Sequence, residues 1–220
     1  QQTLEGIGQE HNLTRERIRQ IETGSLNKIK KNQELETIVS KLKQLITQLL
    51  AEHGGLMSKQ HLFEVLTNLP AAANLDPIIY QHNLEFLLTK ILNNEVILLD
   101  KSGYLTPSFK LKQSGLDHLA ALAQELVAKI KELNKLLDTA EVIELMKTLP
   151  NYQTAADKFV APNLLDLKTL APDNYEAAAI DDNRVFYALL RALAEVEQNK
   201  FGYWGHRQWR QVNPKTVNDK

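Results

Sequence analysis

The chain has 220 residues, of which 43% are hydrophobic and 24% are charged, with a formal net charge of −1 and no cysteine. This composition is that of an ordinary globular protein of one to three domains, and no run of about 18 apolar residues predicts a membrane span. The missing cysteines exclude disulfides and thiolate metal sites and fit a reducing cytoplasm. A net charge near zero argues against a protein that coats nucleic acid along its whole length.

The first 31 residues carry a helix-turn-helix pattern. A short helix is predicted over about Thr3 to Glu10, a turn at His11–Leu13, and a second helix for which Thr14 is the N-cap. The apolar side chains expected to pack inward are Leu13 in the turn and then Ile18, Ile21, Leu26 and Ile29 at helical spacing. Gly24 interrupts the second helix, so we expect the turns over Ser25 to Lys31 to bend or fray.

The exposed face of the second helix is rich in groups that recognise DNA. The N-terminal turn of such a helix enters the major groove, where Arg can bond guanine, Gln can bond adenine and Glu can accept from cytosine. From Arg15 to Lys31, six lysines and arginines stand against two glutamates, a local charge of +4. A basic helix alone is more often just a solvated surface. The predicted DNA-binding residues are Thr14, Arg15, Glu16, Arg17, Arg19, Gln20 and Lys28.

The order of residues is more specific than their charge. Thr3-Leu4-Glu5, Ile7-Gly8 and the run LTRERIRQIE from Leu13 to Glu22 resemble region 4 of primary bacterial sigma factors. That module reads the −35 promoter element and packs on RNA polymerase, so the resemblance implies double-stranded DNA and RNA polymerase as partners. In this chain Gly6 stands where the family usually has Glu, which removes a capping box with Thr3. The first helices of the module do not precede this segment, so we expect a longer protein.

The resemblance also implies a division of labour within the recognition helix. Arg15, Glu16 and Gln20 correspond to the base-reading positions. Thr14, Arg17 and Arg19 lie nearer the DNA backbone, and the two arginines suit phosphates, which set register without reading sequence.

Residues 32–112 are predicted to form a winged-helix-like domain. A helix over Gln33–Glu52 ends at the glycines after His53, a second runs from the cap Ser58 to about Asn68, and a third runs from Pro77 to about Asn93. Strands are predicted at Glu95–Leu99 and Tyr104–Thr106. The inward stripe of the first helix is Leu35, Ile38, Val39, Leu42, Leu45, Ile46, Leu49 and Leu50. The hairpin could be a DNA-binding wing or a structural cap on the helices.

An internal repeat predicts a second domain of the same kind over residues 113–212. Leu56 to Pro70 aligns with Leu136 to Pro150 at a constant offset. A long helix is expected over Ser114–Leu136, an insertion over about 151–181, and a further helix over Asp182–Gln198, for which Asp181 and Asp182 are the expected cap. Residues 213–220 are expected to be a linker. A chance echo of leucine-rich helices is the alternative.

The segment from Phe201 to Arg210 is dense in aromatic residues beside arginines. The preferred interpretation is that Trp204 and Trp209 close the core of the second domain, and the alternative is that the aromatic set stacks on bases or grips the minor groove of DNA. Phe201–Gly205 together with Val212–Lys215 also resembles the connector before a HARE-type helix-turn-helix in sigma-like bacterial regulators. That resemblance implies a further DNA-associated domain.

The sequence does not argue for an enzyme, a cofactor or a metal. The histidines are scattered (His11, His53, His61, His82, His118 and His206), and no glycine-rich phosphate loop is present. We therefore predict a cytoplasmic, mainly α, sequence-specific DNA-binding transcription protein with a helix-turn-helix and two winged-helix-like domains. Two alternatives stay open: an interaction module that docks on RNA polymerase or another regulator, and a nucleic-acid enzyme whose catalytic domain lies outside this sequence.

Overall fold

The computed structural model describes residues 2–69, 72, 74, 76–100, 103–157 and 183–214. Its helices are α1 (Leu4–Glu10), α2 (Arg15–Lys30), α3 (Gln33–Glu52), α4 (Lys59–Thr67), α5 (Pro77–Phe86), α6 (Asp117–Leu133), α7 (Thr139–Lys147), α8 (Tyr152–Ala156) and α9 (Arg184–Ala192). Its strands are β1 (Leu56–Ser58), β2 (Val96–Leu99), β3 (Ser108–Leu111), β4 (Val196–Gln198) and β5 (Trp204–His206). The predicted mainly α fold with short β-hairpins is confirmed. In this part of the chain no helix is long and apolar enough to cross a membrane.

The helices begin where local side-chain caps allow them to begin. The hydroxyl groups of Thr3, Thr14 and Ser58 accept hydrogen bonds from backbone N–H groups three residues further on, each at 3.1 Å. Such caps satisfy donors that a helix start would otherwise leave without a partner. The end of α3 is also set by neighbouring residues, because Gly54 and Gly55 follow it with φ angles of 76° and 79°. These predicted boundaries are confirmed.

A three-stranded antiparallel sheet with the order β1-β3-β2 closes the N-terminal core, the cluster built around Leu50, Leu66 and Phe109. The sequence did not indicate β1, which has only three residues. The second strand of the predicted hairpin is also wrong, since β3 runs over Ser108–Leu111 and not over Tyr104–Thr106. The predicted third helix, from Pro77 to about Asn93, is confirmed to within two residues, since α5 continues directly into a π-helical turn over Leu87–Ile91.

The segment Tyr104–Thr106 is extended, but its partner lies far away in sequence. Leu105 forms an antiparallel bridge with Leu193, the N–H of Thr106 donates to the carbonyl of Ala192 at 2.8 Å, and Ala194 donates to Tyr104 at 2.9 Å. A strand pattern predicts an extended backbone but does not name the partner that satisfies its hydrogen bonds. Here the partner is the chain that leaves α9.

The C-terminal core is the cluster built around Leu122, Leu190 and Trp204. The helix predicted over Asp182–Gln198 is too long, because α9 ends at Ala192 and Val196–Gln198 form strand β4 paired with β5. The preferred interpretation of the tryptophans holds: Trp204 is buried and its Nε1 donates to Thr139 at 3.0 Å. Trp209 is half-buried and packs against the same core.

The two cores meet along α9, which packs on strand β1. Leu56 and Leu105 belong to the C-terminal core, whereas Ala188 of α9 belongs to the N-terminal core. The interior is therefore continuous across the predicted domain boundary. Of the predicted insertion, residues 151–157 are described and include α8. Most of that insertion, the proposed cap at Asp181 and Asp182, and residues 215–220 of the predicted linker lie outside the described residues.

Candidate nucleic-acid interface

Helices α1 and α2 pack closely because Gly8 has no side chain. A Cβ atom at Gly8 would lie 2.6 Å from the carbonyl oxygen of Leu13, and the N–H of Leu13 donates to the Gly8 carbonyl at 2.8 Å. Asn12 adopts a left-handed conformation, with φ of 52°, and turns the chain between the helices. A glycine inside a seven-residue helix is a sequence signal of close backbone approach, and Gly8 carries that signal in addition to its part in the sigma-factor resemblance.

The helix-turn-helix buries less apolar surface than its sequence predicts. Ile18 is buried against α1, but Leu13, Ile21 and Ile29 are all exposed, so their predicted inward packing is wrong. Ile38 on the predicted stripe of α3 is exposed as well. Since α1 has only seven residues, it covers only the beginning of α2.

The second half of α2 packs on the N-terminal core. Leu26 is half-buried against that core, the ammonium group of Lys90 lies 2.9 Å from the Glu22 carboxylate, and Lys30 donates to Asn93 at 2.7 Å. The helix therefore continues through Gly24 to Lys30, and the predicted fraying is wrong. Contacts with the protein body offset the low helix propensity of glycine.

These contacts make a first prediction about how the helix-turn-helix is held. Replacing Leu26 with alanine is expected to lower the free energy of unfolding by about 1–3 kcal/mol, because it removes buried methyl groups from the junction. Amide hydrogen exchange in α1 and α2 should accelerate in the same variant. The matched control is Ile21→Ala, where an exposed side chain is shortened and the effect should stay within about 0.5 kcal/mol. Equal effects of the two changes would contradict the packing role of Leu26.

All seven predicted DNA-binding side chains lie on the surface of the helix-turn-helix. Thr14 caps α2 and so sets the direction in which its first turn points. The side chains of Arg15 and Lys28 make no hydrogen bond or ion pair with any described residue. Both are therefore available to a ligand, as a groove-reading arginine or a phosphate-binding lysine must be.

Glu16 lies at the centre of a small network on the exposed face. Arg19 donates from Nε and Nη2 to the two carboxylate oxygens of Glu16 at 2.8 and 2.7 Å, and Gln20 donates to the same group at 3.5 Å. The hydrogen bond from Arg19 lowers the pKa of Glu16 below its ordinary value, so this carboxylate stays charged. Such an exposed pair is easily exchanged for contacts with DNA.

The remaining cations lie on a neighbouring face of α2. Arg17 reaches toward Gln20, with Nη1 at 3.4 Å from Oε1. Arg17 and Lys28 are eleven residues apart, about three turns of an α-helix, so they lie on the same side of α2. The contacts to the protein body come from Glu22, Leu26 and Lys30, on a different side from Gln20. Docking therefore leaves Glu16 and Gln20 on an open side, whereas Arg15, eleven residues before Leu26, lies on the docking side and is exposed because it precedes the turns that contact the core. No group of His, Asp or Glu side chains in the described ranges is arranged to hold a metal ion.

Comparison with known families agrees with this geometry. Residues 1–31 match the family Sigma-70, region 4, which is a DNA-binding regulatory domain and not an enzyme family. No curated protein and no solved structure matches the chain. The N-terminal segment thus resembles a sigma region 4 helix-turn-helix, which indicates a DNA-binding, transcription-related function.

Proposed function

We propose that this protein is a sequence-specific DNA-binding transcription protein, which reads a promoter-like major groove with the first two turns of α2. The observation that supports this most is the exposure of Arg15, Glu16 and Gln20 on a helix start that Thr14 caps and that precedes the turns docked on the N-terminal core. The proposal includes contact with RNA polymerase, which the matched family implies, and a cytoplasmic location, where bacterial promoters are read.

Each side chain has a role that follows from its hydrogen-bonding groups. Arg15 donates two parallel bonds to guanine, Gln20 pairs with adenine, and Glu16 accepts from cytosine. Arg17, Arg19 and Lys28 bind phosphates. Arg19 and Glu16 form an ion pair in the absence of DNA. Their contacts to DNA therefore replace this ion pair when DNA binds.

The proposal divides the rest of the chain into two winged-helix-like domains, residues 32–112 and 113–212, with a linker after them. The first has the order helix, strand, two helices and hairpin, with β1 next to β3. The second has the same order apart from the additional short helix α8: α6, the bridge between Leu137 and Trp204, α7, α8, α9 and the hairpin β4–β5. The repeated sequence and the repeated order of elements support one architecture used twice.

The proposed reading of DNA makes a second prediction. Arg15→Ala is expected to lose roughly 1–3 kcal/mol of discrimination between the preferred duplex and a duplex with one substituted guanine, since the wrong base already lacks this contact. Arg17→Ala should instead weaken binding to all duplexes alike and reduce the dependence of log K on log salt by about one. The measurement is a titration of duplexes selected from a random pool, at several salt concentrations.

The control for this experiment is Lys112→Ala, which removes an exposed cation outside the helix-turn-helix. Its affinity and its sequence preference should match those of the unaltered protein. If Arg15→Ala kept full discrimination while binding normally, α2 would not be the reading helix.

A second candidate function, an interaction module for RNA polymerase or another regulator, is favoured by helix α5. Ile78, Ile79 and Phe86 are exposed on it, and the helix contains no lysine or arginine. An apolar helix surface without cations suits a protein partner better than DNA. Capture of purified RNA polymerase that is lost in Ile79→Asp but retained in Arg15→Ala would favour this candidate.

A further inference from the structure

The turn between β4 and β5 presents a large aromatic ring to solvent. We call residues 199–203 the hairpin tip. Phe201 is 69% exposed and Tyr203 is 46% exposed, in contrast to Trp204, which is buried in the C-terminal core. The aromatic cluster of the sequence is therefore split into a buried part that stabilises the fold and an exposed part that the fold does not use.

The backbone of the hairpin tip is held in one conformation. Oδ1 of Asn199 accepts from the N–H groups of Phe201 and Tyr203 at 3.0 and 3.1 Å. Gln198 donates to the Gly202 carbonyl at 2.9 Å, and Gly202 has a φ of 89°, a conformation that favours glycine. The backbone that carries the exposed Phe201 ring is therefore held in place, which lowers the cost of ordering this turn when a ligand contacts it.

The hairpin tip itself carries one cation, Lys200. Of the acidic residues near it, Glu197 is paired with Arg207 at 3.0 Å, and Asp138, which lines the same depression as Phe201 and Tyr203, is engaged as the N-cap of α7. The ammonium group of Lys200 lies 4.9 Å from the centroid of the Phe201 ring. An anionic partner with planar apolar surfaces complements this arrangement, and nucleic acid has both properties.

The flat shape of the Phe201 ring favours unpaired DNA over paired DNA as the partner. In a duplex the faces of the bases are covered by stacking, whereas an unpaired strand exposes them to an aromatic side chain. A single outward ring with a lysine beside it can stack on one base while the cation meets the neighbouring phosphate. It carries no set of donors and acceptors that would read base edges in a groove.

We propose that the hairpin tip is a second nucleic-acid contact, in which Phe201 stacks on an unpaired base of a DNA strand and Lys200 binds its phosphate. This site goes beyond the proposed function, which assigns the reading of duplex DNA to α2. It would let one protein hold a duplex through the helix-turn-helix and an open strand through the C-terminal hairpin.

The test uses the full chain and a fluorescently labelled oligothymidine of twelve nucleotides, a length chosen to fall within the roughly 4–16 nucleotides typical of such sites. The unaltered protein should bind this probe with an affinity that falls as salt rises. Phe201→Ala should weaken binding roughly 5- to 150-fold, and Lys200→Ala should reduce the salt dependence by about one. Phe201→Trp should keep the affinity, and its fluorescence should be quenched on binding.

Two controls separate this site from others. Phe86→Ala removes another exposed phenylalanine, 46% exposed on α5, and should leave oligothymidine binding unchanged. Phe201→Ala should keep the affinity for the duplex selected through α2, so a failure of the duplex assay and a failure of the hairpin assay are distinguishable. Failure of the unaltered protein to bind oligothymidine, or equal binding by Phe201→Ala, overturns the proposal. The proposal is also overturned if Phe201→Ala loses the binding of a protein partner while its oligothymidine binding is unchanged.

Discussion

Replacing Arg184 with methionine is expected to lower the free energy of unfolding by about 3–5 kcal/mol. Arg184 begins α9 and its Nη1 lies 2.6 Å from the carboxylate of Glu52, the last residue of α3. The Glu52 side chain is fully buried and that of Arg184 is 7% exposed. Removing the guanidinium leaves a buried carboxylate that keeps a hydrogen bond from Gln48 but loses this opposite charge. Urea denaturation followed by circular dichroism measures the change.

The same helix supplies a matched control for this prediction. Arg191 also pairs with a glutamate, Glu64, but that carboxylate is 45% exposed. Arg191→Met should therefore change the stability by no more than about 1 kcal/mol, as exposed pairs usually do. The double change Glu52→Leu with Arg184→Met should recover much of the lost stability, because two apolar side chains replace a charge pair. Equal losses for Arg184→Met and Arg191→Met would show that burial does not set the strength of this pair.

Acidification is expected to destabilise the protein by about 3 kcal/mol between pH 7 and pH 4 through His53 alone. Burial lowers the pKa of His53 to about 4, and the charge of Arg184 acts in the same direction against a hydrogen bond with the Leu49 carbonyl. Burial also lowers the pKa of His61 well below its ordinary value, assisted by the charges of His53 and Arg191. Both imidazoles lie at the junction of α3, α4 and α9, with His61 against the Tyr187 ring.

The direction of this pH effect follows from proton uptake. An unfolded histidine binds a proton near pH 6.5, whereas folded His53 does so only near pH 4. Below pH 6.5 the unfolded state therefore holds more protons, and the stability that is complete above that pH is lost progressively on the way down. We expect His53→Gln to reduce this loss relative to the unaltered protein in urea titrations from pH 7.5 to 4. The matched control is His82→Gln, which makes the same change at an exposed imidazole away from this junction.

Both predictions concern the same junction, and that junction bears on the proposed function. Helix α2 docks on the N-terminal core through Leu26, and the N-terminal core joins the C-terminal core through α9 and the pair of Glu52 with Arg184. The helix-turn-helix and the hairpin tip thus belong to one connected body. Loss of the pair between Glu52 and Arg184 should therefore weaken the binding of a DNA that contacts both the helix-turn-helix and the hairpin tip. Neither residue itself contacts DNA in the proposal.

Much of the recognition element could be predicted from the sequence because its determinants are local. Thr3 and Thr14 cap their helices through bonds that span three residues, and the two glycines after His53 end α3. The order of residues from Leu13 to Glu22 was enough to indicate the family that residues 1–31 match. The exposure of Gln20 followed from helical periodicity, since the apolar positions of α2 fall on other faces. Arg15 shares a face with Leu26, and it is exposed because it stands in the first turn, before the contacts with the core.

The strands and the exposure of several apolar residues were decided by tertiary contacts. Tyr104–Thr106 has the pattern of a hairpin strand but pairs with the chain after α9, nearly ninety residues away. Val196 has helical spacing with the residues of α9, yet it lies in β4 because β5 supplies its hydrogen bonds. Leu13 and Ile21 have the periodicity of buried residues but find no element long enough to cover them. Periodicity reports which face could be buried, and only the folded chain supplies the covering surface.

The sequence by itself therefore determined the helix starts at Thr3, Thr14 and Ser58 and the end of α3 at Gly54 and Gly55, because each depends on neighbours within a few positions. Only the tertiary structure decided which strands pair, which charges are buried at the α3–α9 junction and which ring of the aromatic cluster points outward. Those features depend on groups brought together from distant parts of the chain, and no local pattern encodes the identity of a distant partner.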